Sequence, residues 1–447
     1  MRVNAKGKIT LLLLIGLVVF GAGSPSMASE SIQSGIEGYG QFSLAYTAHD
    51  AILLDGNDEM IAQATAESWP GNGTADAPYE ITGYYFYDVQ HSVEIRNIDL
   101  HWTFTDNEVD GPGDVTVWCG VEISNSSNGY VANNLFHNRY RGLWLIDIDD
   151  VTITDNSFED NLLHAIECVG YINGCLISDN TIVRSDGAGI RILTAVDSEI
   201  SGNEISDCDG CGIQVIGTTT SCQITDNTIE GVTGIGIQLT QSTSATVLHN
   251  VITNATGDGI YLSVSENVEV YNNTLQDGGD DGIVVTHCYF GTVYNNTIVG
   301  TDGIGISVIS GGNTTFRFNH IESSSDYGLK MGGNAENMTT TRNIFIGNGA
   351  AKQVCDEGEN NIVIYNYFDD WTSPDADADQ IVDIPYSLDG EAENEDPYPL
   401  ATPDTIPPTP TEPTPPPEGQ IPLELMMVAG GAVVVVLIGV FIVKKRT

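Results

Sequence analysis

Positive charge is what this 447-residue sequence has least of: 15 lysines and arginines stand against 61 aspartates and glutamates, a formal net charge of −46. With no basic footprint to neutralise phosphates, nucleic acid is excluded as a partner. The surplus of carboxylate suits solubility at high ionic strength and the attraction of cations, calcium among them. Zinc-type spacing is also missing. Cys208 and Cys211 form a C-x-x-C, yet no second such pair and no histidine pair completes a site. The 8 histidines and 7 methionines gather nowhere along the chain. The 8 cysteines could pair if the chain is exported: Cys208 and Cys211 read as a local disulfide or as free thiols, Cys168 and Cys175 are another candidate pair, and sequence does not fix the connectivity. Between the two ends the aliphatic runs are only three to five residues long, too short for helices.

The ends differ. Lys6 and Lys8 precede an apolar run from Leu11 to Phe20, and Ser26-Met27-Ala28 offers small residues to a signal peptidase. Leu425 to Val443 is an uncharged apolar run of 19 residues, long enough to cross a bilayer once as a helix. Lys444, Lys445 and Arg446 follow at once, which places that end in the cytoplasm and everything between the two apolar runs outside the cell. The Pro/Thr stretch TPDTIPPTPTEPTPPPEGQ favours extended polyproline geometry, a stalk. The expected organisation is a signal peptide (1–28), an N-terminal cap region (29–90), a parallel β-helix (91–370), a C-terminal acidic cap (371–401), a Pro/Thr stalk (402–422), a transmembrane helix (423–443) and a basic tail (444–447). The expected location is the cell membrane, spanned once, with the ectodomain extracellular.

The β-helix rests on a repeat. DGIYLSVSENVEVYNNTL, from Asp258 to Leu275, returns in outline every 22 to 24 residues, and one asparagine column runs through Asn134, Asn156, Asn180, Asn203, Asn227 and Asn250 on to Asn366. Two residues after each asparagine stands an apolar residue, from Phe136 to Phe368; three before stands another, broken only by Thr340. A column of small residues from Gly120 to Ala351 is followed by an aliphatic until Lys352. Aliphatics two apart mean strands, and a strand cannot bury its apolar face alone. Stacked coils of three short parallel strands bury the columns in one core. The chain is therefore expected to be all-β, a solenoid of about eleven coils with both ends capped. Asparagine at the turn tolerates left-handed geometry and can form a side-chain ladder. The glycine column accepts Ala165 and Ala351, so it asks for smallness rather than positive φ. DGNDEMIAQATAESW, from Asp55, reads as a short capping helix with Asp55 or Asn57 near its N-cap and Met60, Ile61 and Ala64 on one face. Lys352 and the aromatics Tyr365, Tyr367, Phe368 and Trp371 mark the other end.

Together with the closing IVDIPYSLDGEAENEDPYPL, this Asn/Ile repeat resembles the right-handed parallel β-helix family of carbohydrate-binding and sugar-hydrolase modules and NosD-type periplasmic proteins. With the opening GNGTADAPYEI, the layout resembles its archaeal cell-surface members. The resemblance covers about 300 residues and implies the fold; the repeat residues themselves are structural.

Function is sought on the outward positions. One outward residue per coil follows the glycine column: Glu122, Trp144, Glu167, Arg191, Gln214, Gln238 and Tyr261, then Val284, Ser307, Lys330 and Gln353. Rings, amides and carboxylates in such a line suit stacking on and hydrogen bonding to a sugar chain, while an ordinary solvated strand face with a Glu167–Arg191 pair is the plain alternative. Acidic residues crowd the turn before the column. GGDDGI, with Asp280 and Asp281, resembles the double-aspartate motif of polygalacturonase-type hydrolases, and Asp258 lies one coil earlier. Paired carboxylates are what glycoside hydrolysis requires. The chain departs from that motif in having TDGIGI where a histidine between glycines is expected, and in lacking the following Arg-x-Lys. Asp375, Asp377, Asp379 and Asp383 place oxygens at spacings that suit Ca2+, though Gln380 and Tyr386 stand where an EF-hand has glycine and glutamate. Sequons occur at Asn72, Asn125, Asn254, Asn272, Asn295, Asn313 and Asn337, none in the outward line. The reading is a membrane-anchored surface protein for glycan binding, adhesion or envelope structure, with a polysaccharide or glycoprotein ligand and no required cofactor. An extracellular polysaccharide lyase or hydrolase is the alternative, and NosD-like metal delivery a weaker one.

Overall fold

The computed structural model describes residues 46–87, 91–113, 119–349 and 351–403. The expected signal peptide, the Pro/Thr stretch beyond residue 403, the transmembrane helix and the basic tail lie outside the described residues. Among the described residues no helix is long and apolar enough to cross a membrane.

Short strands stack into three parallel sheets of 14, 14 and 13 strands. Each coil gives one strand to each sheet, so the molecule is a parallel β-solenoid of about a dozen turns. One coil shows the rule. Ile237–Thr243, Thr246–Leu248 and Val251–Thr253 pair with Ile260–Ser263, Glu269–Tyr271 and Thr274–Gln276 of the next, without slip: Ile237 faces Ile260, Val247 faces Val270, Ile252 faces Leu275. Alternation within each three-residue strand puts its central aliphatic inside, and like residues stack on like along a single core. Pairing starts at Thr47–His49 and Ile52–Asp55, so solenoid strands already occupy the expected N-terminal cap region.

The asparagine column is a continuous ladder. Each side-chain oxygen accepts both the backbone N–H and the Nδ2–H of the asparagine one coil before. Asn203 gives both to Asn227 at 3.0 and 2.9 Å, and Asn227 gives both to Asn250 at 3.0 and 2.9 Å. The ladder begins one coil earlier than the sequence count, at Asn107, and ends where Asn366 donates to the buried carboxylate of Asp396. The left-handed backbone belongs to the residue just before each rung: Asp155, Asp179, Asp226, His249, Phe318 and Arg342 have φ between 53° and 58°. The rung asparagines have none, because their amides must point inward along the ladder.

Smallness does rule the glycine column. Gly212 lies outside the positive-φ region, and a Cβ there would sit 2.6 Å from Ile229 Cγ2 and 2.8 Å from the Gly236 carbonyl. At the first end, α1 (Asn57–Glu67) buries Met60 and Ala64 against the core; Ile61 faces solvent, and Gly56 is the N-cap in place of Asp55 or Asn57. At the other, Phe368 stacks on Tyr386 at 3.8 Å, and Lys352 Nζ lies 4.6 Å from the Tyr386 ring centroid. Lys352 does not interrupt the aliphatic column. Two residues are inserted in that coil, so Val354 and Cys355 pair with Leu329 and Lys330. All 8 cysteines are free thiols, so Cys208 and Cys211 take the free-thiol alternative and the candidate pair Cys168–Cys175 is not formed. Cys208 is buried in the core, whereas Cys211 faces outward towards Gln214 and Gln238.

Candidate functional site

The outward line exists in the register expected. Glu122 pairs with Trp144, Trp144 with Glu167, Glu167 with Arg191, Arg191 with Gln214, Gln214 with Gln238 and Gln238 with Tyr261. It continues through Val284, Ser307 and Lys330 and then reaches Cys355; Gln353 is displaced by the inserted pair and is buried, donating to Asp369 and Asp370. Upstream it extends to Glu94.

The Glu167–Arg191 pair of the plain alternative is present, on a face only half open to solvent. Glu122 and Glu167 are buried, and Trp144, Arg191, Gln214, Gln238 and Tyr261 half-buried. The polar groups are relayed from coil to coil. Arg96 Nε donates to Glu122 at 2.9 Å; Arg141 and Arg191 both hold Glu167; Arg191 Nε donates to Gln214 at 3.1 Å, and Gln214 Nε2 to Gln238 at 2.8 Å. Burial first, then the charges of Arg191 and Arg141, hold the pKa of His164, 3.9 Å from Glu167, down at about 4 against the pull of Glu167. The guanidinium of Arg141 lies 5.2 Å from the Trp144 ring. The Trp144 indole N–H is buried and has no acceptor.

The three aspartates proposed from the turn come together. Oxygens of Asp258, Asp280 and Asp281 lie within 4.8 Å of one another. Asp258 accepts the Asp281 N–H at 3.2 Å, and Asp281 accepts the Ile304 N–H at 2.7 Å. Burial, then the charges of Asp280 and Asp281, push Asp258 up to about 6. Asp281 is raised as well, by burial first, against donors from Ile304 and Ser307. One raised carboxyl beside others is the electrostatic arrangement of an acid–base pair.

Asp375, Asp377 and Asp379 also converge within 4.8 Å. Asp383 does not join them; its carboxylate accepts the Ala376 N–H at 2.7 Å. All seven sequon asparagines are exposed, and six of them, all but Asn72, sit at left-handed turn positions.

One group escaped the sequence reading. His91, Cys119 and Glu122 are buried with their donor atoms within 4.8 Å of one another, on adjacent coils. His91 Nδ1 lies 2.8 Å from Cys119 Sγ and 3.7 Å from Glu122 Oε2. Burial lowers the His91 pKa and pushes the Cys119 thiol far up. The signal available was positional: His91 and Cys119 precede Ser92 and Gly120, which hydrogen-bond as equivalent points of successive coils.

Two family models match this architecture, the right handed beta helix region over residues 212–368 and the periplasmic copper-binding protein (NosD) over residues 50–234. The chain is a right-handed β-helix repeat protein. Together the two matches cover its solenoid without a break from residue 50 to residue 368. No curated protein matches the chain. Among solved structures, this β-helix is similar to tailspike protein 3 of bacteriophage CBA120, at 10% identity over 76% of this chain, with a TM-score of 0.46; it spans only 59% of that tailspike. It is also similar to a periplasmic alginate epimerase, at 10% identity over 72% of this chain and 86% of the other, TM-score 0.43. The tailspike of Escherichia coli bacteriophage HK620, solved with a pentasaccharide, gives 12% identity over 70% of each chain and a TM-score of 0.45. At such identities the likeness is one of fold alone.

Proposed function

We propose that this β-helix is a surface protein that binds a glycan chain along the outward line from Glu122 to Tyr261, tethered to the membrane by residues 423–443. The observation that carries the reading is the unbroken register of that line: Trp144 and Tyr261 are five coil steps apart, ~24 Å of evenly spaced rings and amides. Because the amides and charges already bond one another, binding falls to ring faces and to repeated weak contacts along the rod. The tether is supported by the apolar run and the basic residues after it. None of the seven exposed sequon asparagines belongs to the line, which favours its staying open if glycans are attached. A glycan array probed with the purified protein tests this. Binding to an extended saccharide, weakened at least about tenfold in Trp144→Ala plus Tyr261→Ala, is expected; a blank array, or binding indifferent to that pair, refutes it.

The raised Asp258 beside Asp281 favours a second reading, an extracellular polysaccharide hydrolase or lyase with these carboxyls as acid and base. Release of reducing ends or unsaturated product from acidic polysaccharides, lost in Asp258→Asn and Asp281→Asn, would establish it. Of the donor groups, Asp375, Asp377 and Asp379 offer only oxygen and fit calcium. The copper named in the NosD description would fit only the group with nitrogen and sulfur, His91, Cys119 and Glu122.

A further inference from the structure

The first coils of the long-strand sheet bury three different metal-ligating side chains at one point. Their kinds matter. A thiol and an imidazole 2.8 Å apart, with a carboxylate oxygen 3.7 Å from the same imidazole nitrogen, form a mixed S, N, O set within reach of a single ion. The two aspartate clusters, Asp258 with Asp280 and Asp281 and Asp375 with Asp377 and Asp379, are exposed or half-buried and offer only oxygen. Here Cys119 and Glu122 project from one strand, Cys119–Ser127, and His91 lies two residues before the strand Val93–Arg96 that pairs with it, so backbone register fixes the separation of the ligands. Trp144, one coil on, lies nearly parallel to the His91 ring at 6.4 Å and closes the site from that side.

The surrounding charge selects the ion. Glu122 is engaged by Arg96 at 2.9 Å, Arg96 also holds Glu94 at 2.8 Å, and Arg139 donates to the Cys119 carbonyl at 2.7 Å. Two guanidiniums therefore already balance the two carboxylates. A monovalent ion replacing the thiol proton leaves this balance unchanged: the S–H bond breaks, the S–metal bond forms, and one proton leaves to solvent for each ion bound. A divalent ion would add an uncompensated positive charge beside two arginines, at a cost in a buried setting. We propose that Cys119 and His91, with Glu122 as third ligand, form a binding site for one soft monovalent metal ion of the cuprous type. Thiolate and imidazole are the ligands that such an ion prefers. The site lies at the start of the outward line and needs no glycan to function.

The test is an anaerobic titration of the purified full-length chain with Cu+ against a chromophoric chelator, with parallel Zn2+ and Ca2+ arms. One Cu+ per chain is expected, with affinity reduced at least about tenfold in Cys119→Ser and in His91→Gln, and unaltered by Asp375→Asn. X-ray absorption on the unaltered, copper-loaded chain should show a sulfur neighbour at about 2.3 Å, so the assignment does not depend on either variant folding. An all-oxygen or all-nitrogen shell overturns the site. Stoichiometric Zn2+ binding without Cu+ binding overturns the charge argument, and Cu+ binding indifferent to both variants places the ion elsewhere.

Discussion

The asparagine ladder inside the solenoid and the outward line on its long-strand sheet repeat at the same step, one residue per coil, yet one is chemically uniform and the other varies at almost every position. Inside, each side chain must accept two donors from the coil before and give its own N–H bonds to backbone carbonyls and to the next rung, all without water. Only asparagine has that geometry in that volume. Outside, the backbone has already set the register, and each residue need only settle against its two neighbours. Glu167 does so by charge, Gln214 by amide and Tyr261 by its ring. Uniformity marks what builds the rod. Variation marks where recognition can be written.

Breaking the inner column should cost most. Asn227→Leu strips the acceptor from the N–H and the Nδ2–H of Asn203 and the donor from the carbonyls of Ile200 and Thr225. At least about 3 kcal/mol should be lost in urea unfolding, since each buried polar group left alone costs 1–3. A loss near zero would mean that the ladder is ornament. Arg191→Ala comes next, because it removes one of two guanidiniums from Glu167, 3% exposed. With Arg141 still in place the loss should be about 2 kcal/mol, below the 3–5 of a fully orphaned ion. Gln238→Ala should cost under about 1 kcal/mol, as a half-buried neutral hydrogen bond. An outer loss equal to the inner one would erase the distinction.

The same contrast explains what was legible in the sequence. Rungs announce themselves because the ladder demands one residue type, but Asn107 hid behind an interval of 27 where the others are 22 to 24. The left-handed position was misplaced by one because its occupants share no chemistry: Asp226, His249, Phe318 and Arg342 all adopt it. Outward register was readable until two inserted residues moved Gln353 out of line and put Cys355 there. The convergence of Asp258, Asp280 and Asp281 followed from the coil step. The convergence of His91 with Cys119 did not, since ligand rules look for pairs two to five residues apart and these stand 28 apart. Cys208 and Cys211 stay unpaired on similar ground: one thiol faces the core and the other faces outward, and nearness in sequence says nothing of which side of a turn a thiol takes.

The finest test concerns a carboxyl that belongs to neither column. Asp258, with a folded-state pKa of about 6 against 3.8 ordinarily, binds its proton more tightly in the folded chain than in the unfolded one. Its contribution to stability is therefore fully present below about pH 4 and lost as pH rises through about 6. Asp281 and Asp396 are raised too and remain in place, so the difference between the protein and Asp258→Asn reports Asp258 together with its coupling to Asp280 and Asp281. The asparagine keeps an oxygen for the Asp281 N–H and carries no charge against Asp280. Melting temperatures should therefore run parallel below pH 4 and diverge between pH 4 and 6, with the variant ahead at pH 7. Solvent reaches the group enough to hold the gain below about 1 kcal/mol. A variant that instead falls behind at pH 7 would show that the ionised carboxylate is held by a cation, and the acidic turn would have to be read as a metal site instead of an acid–base pair.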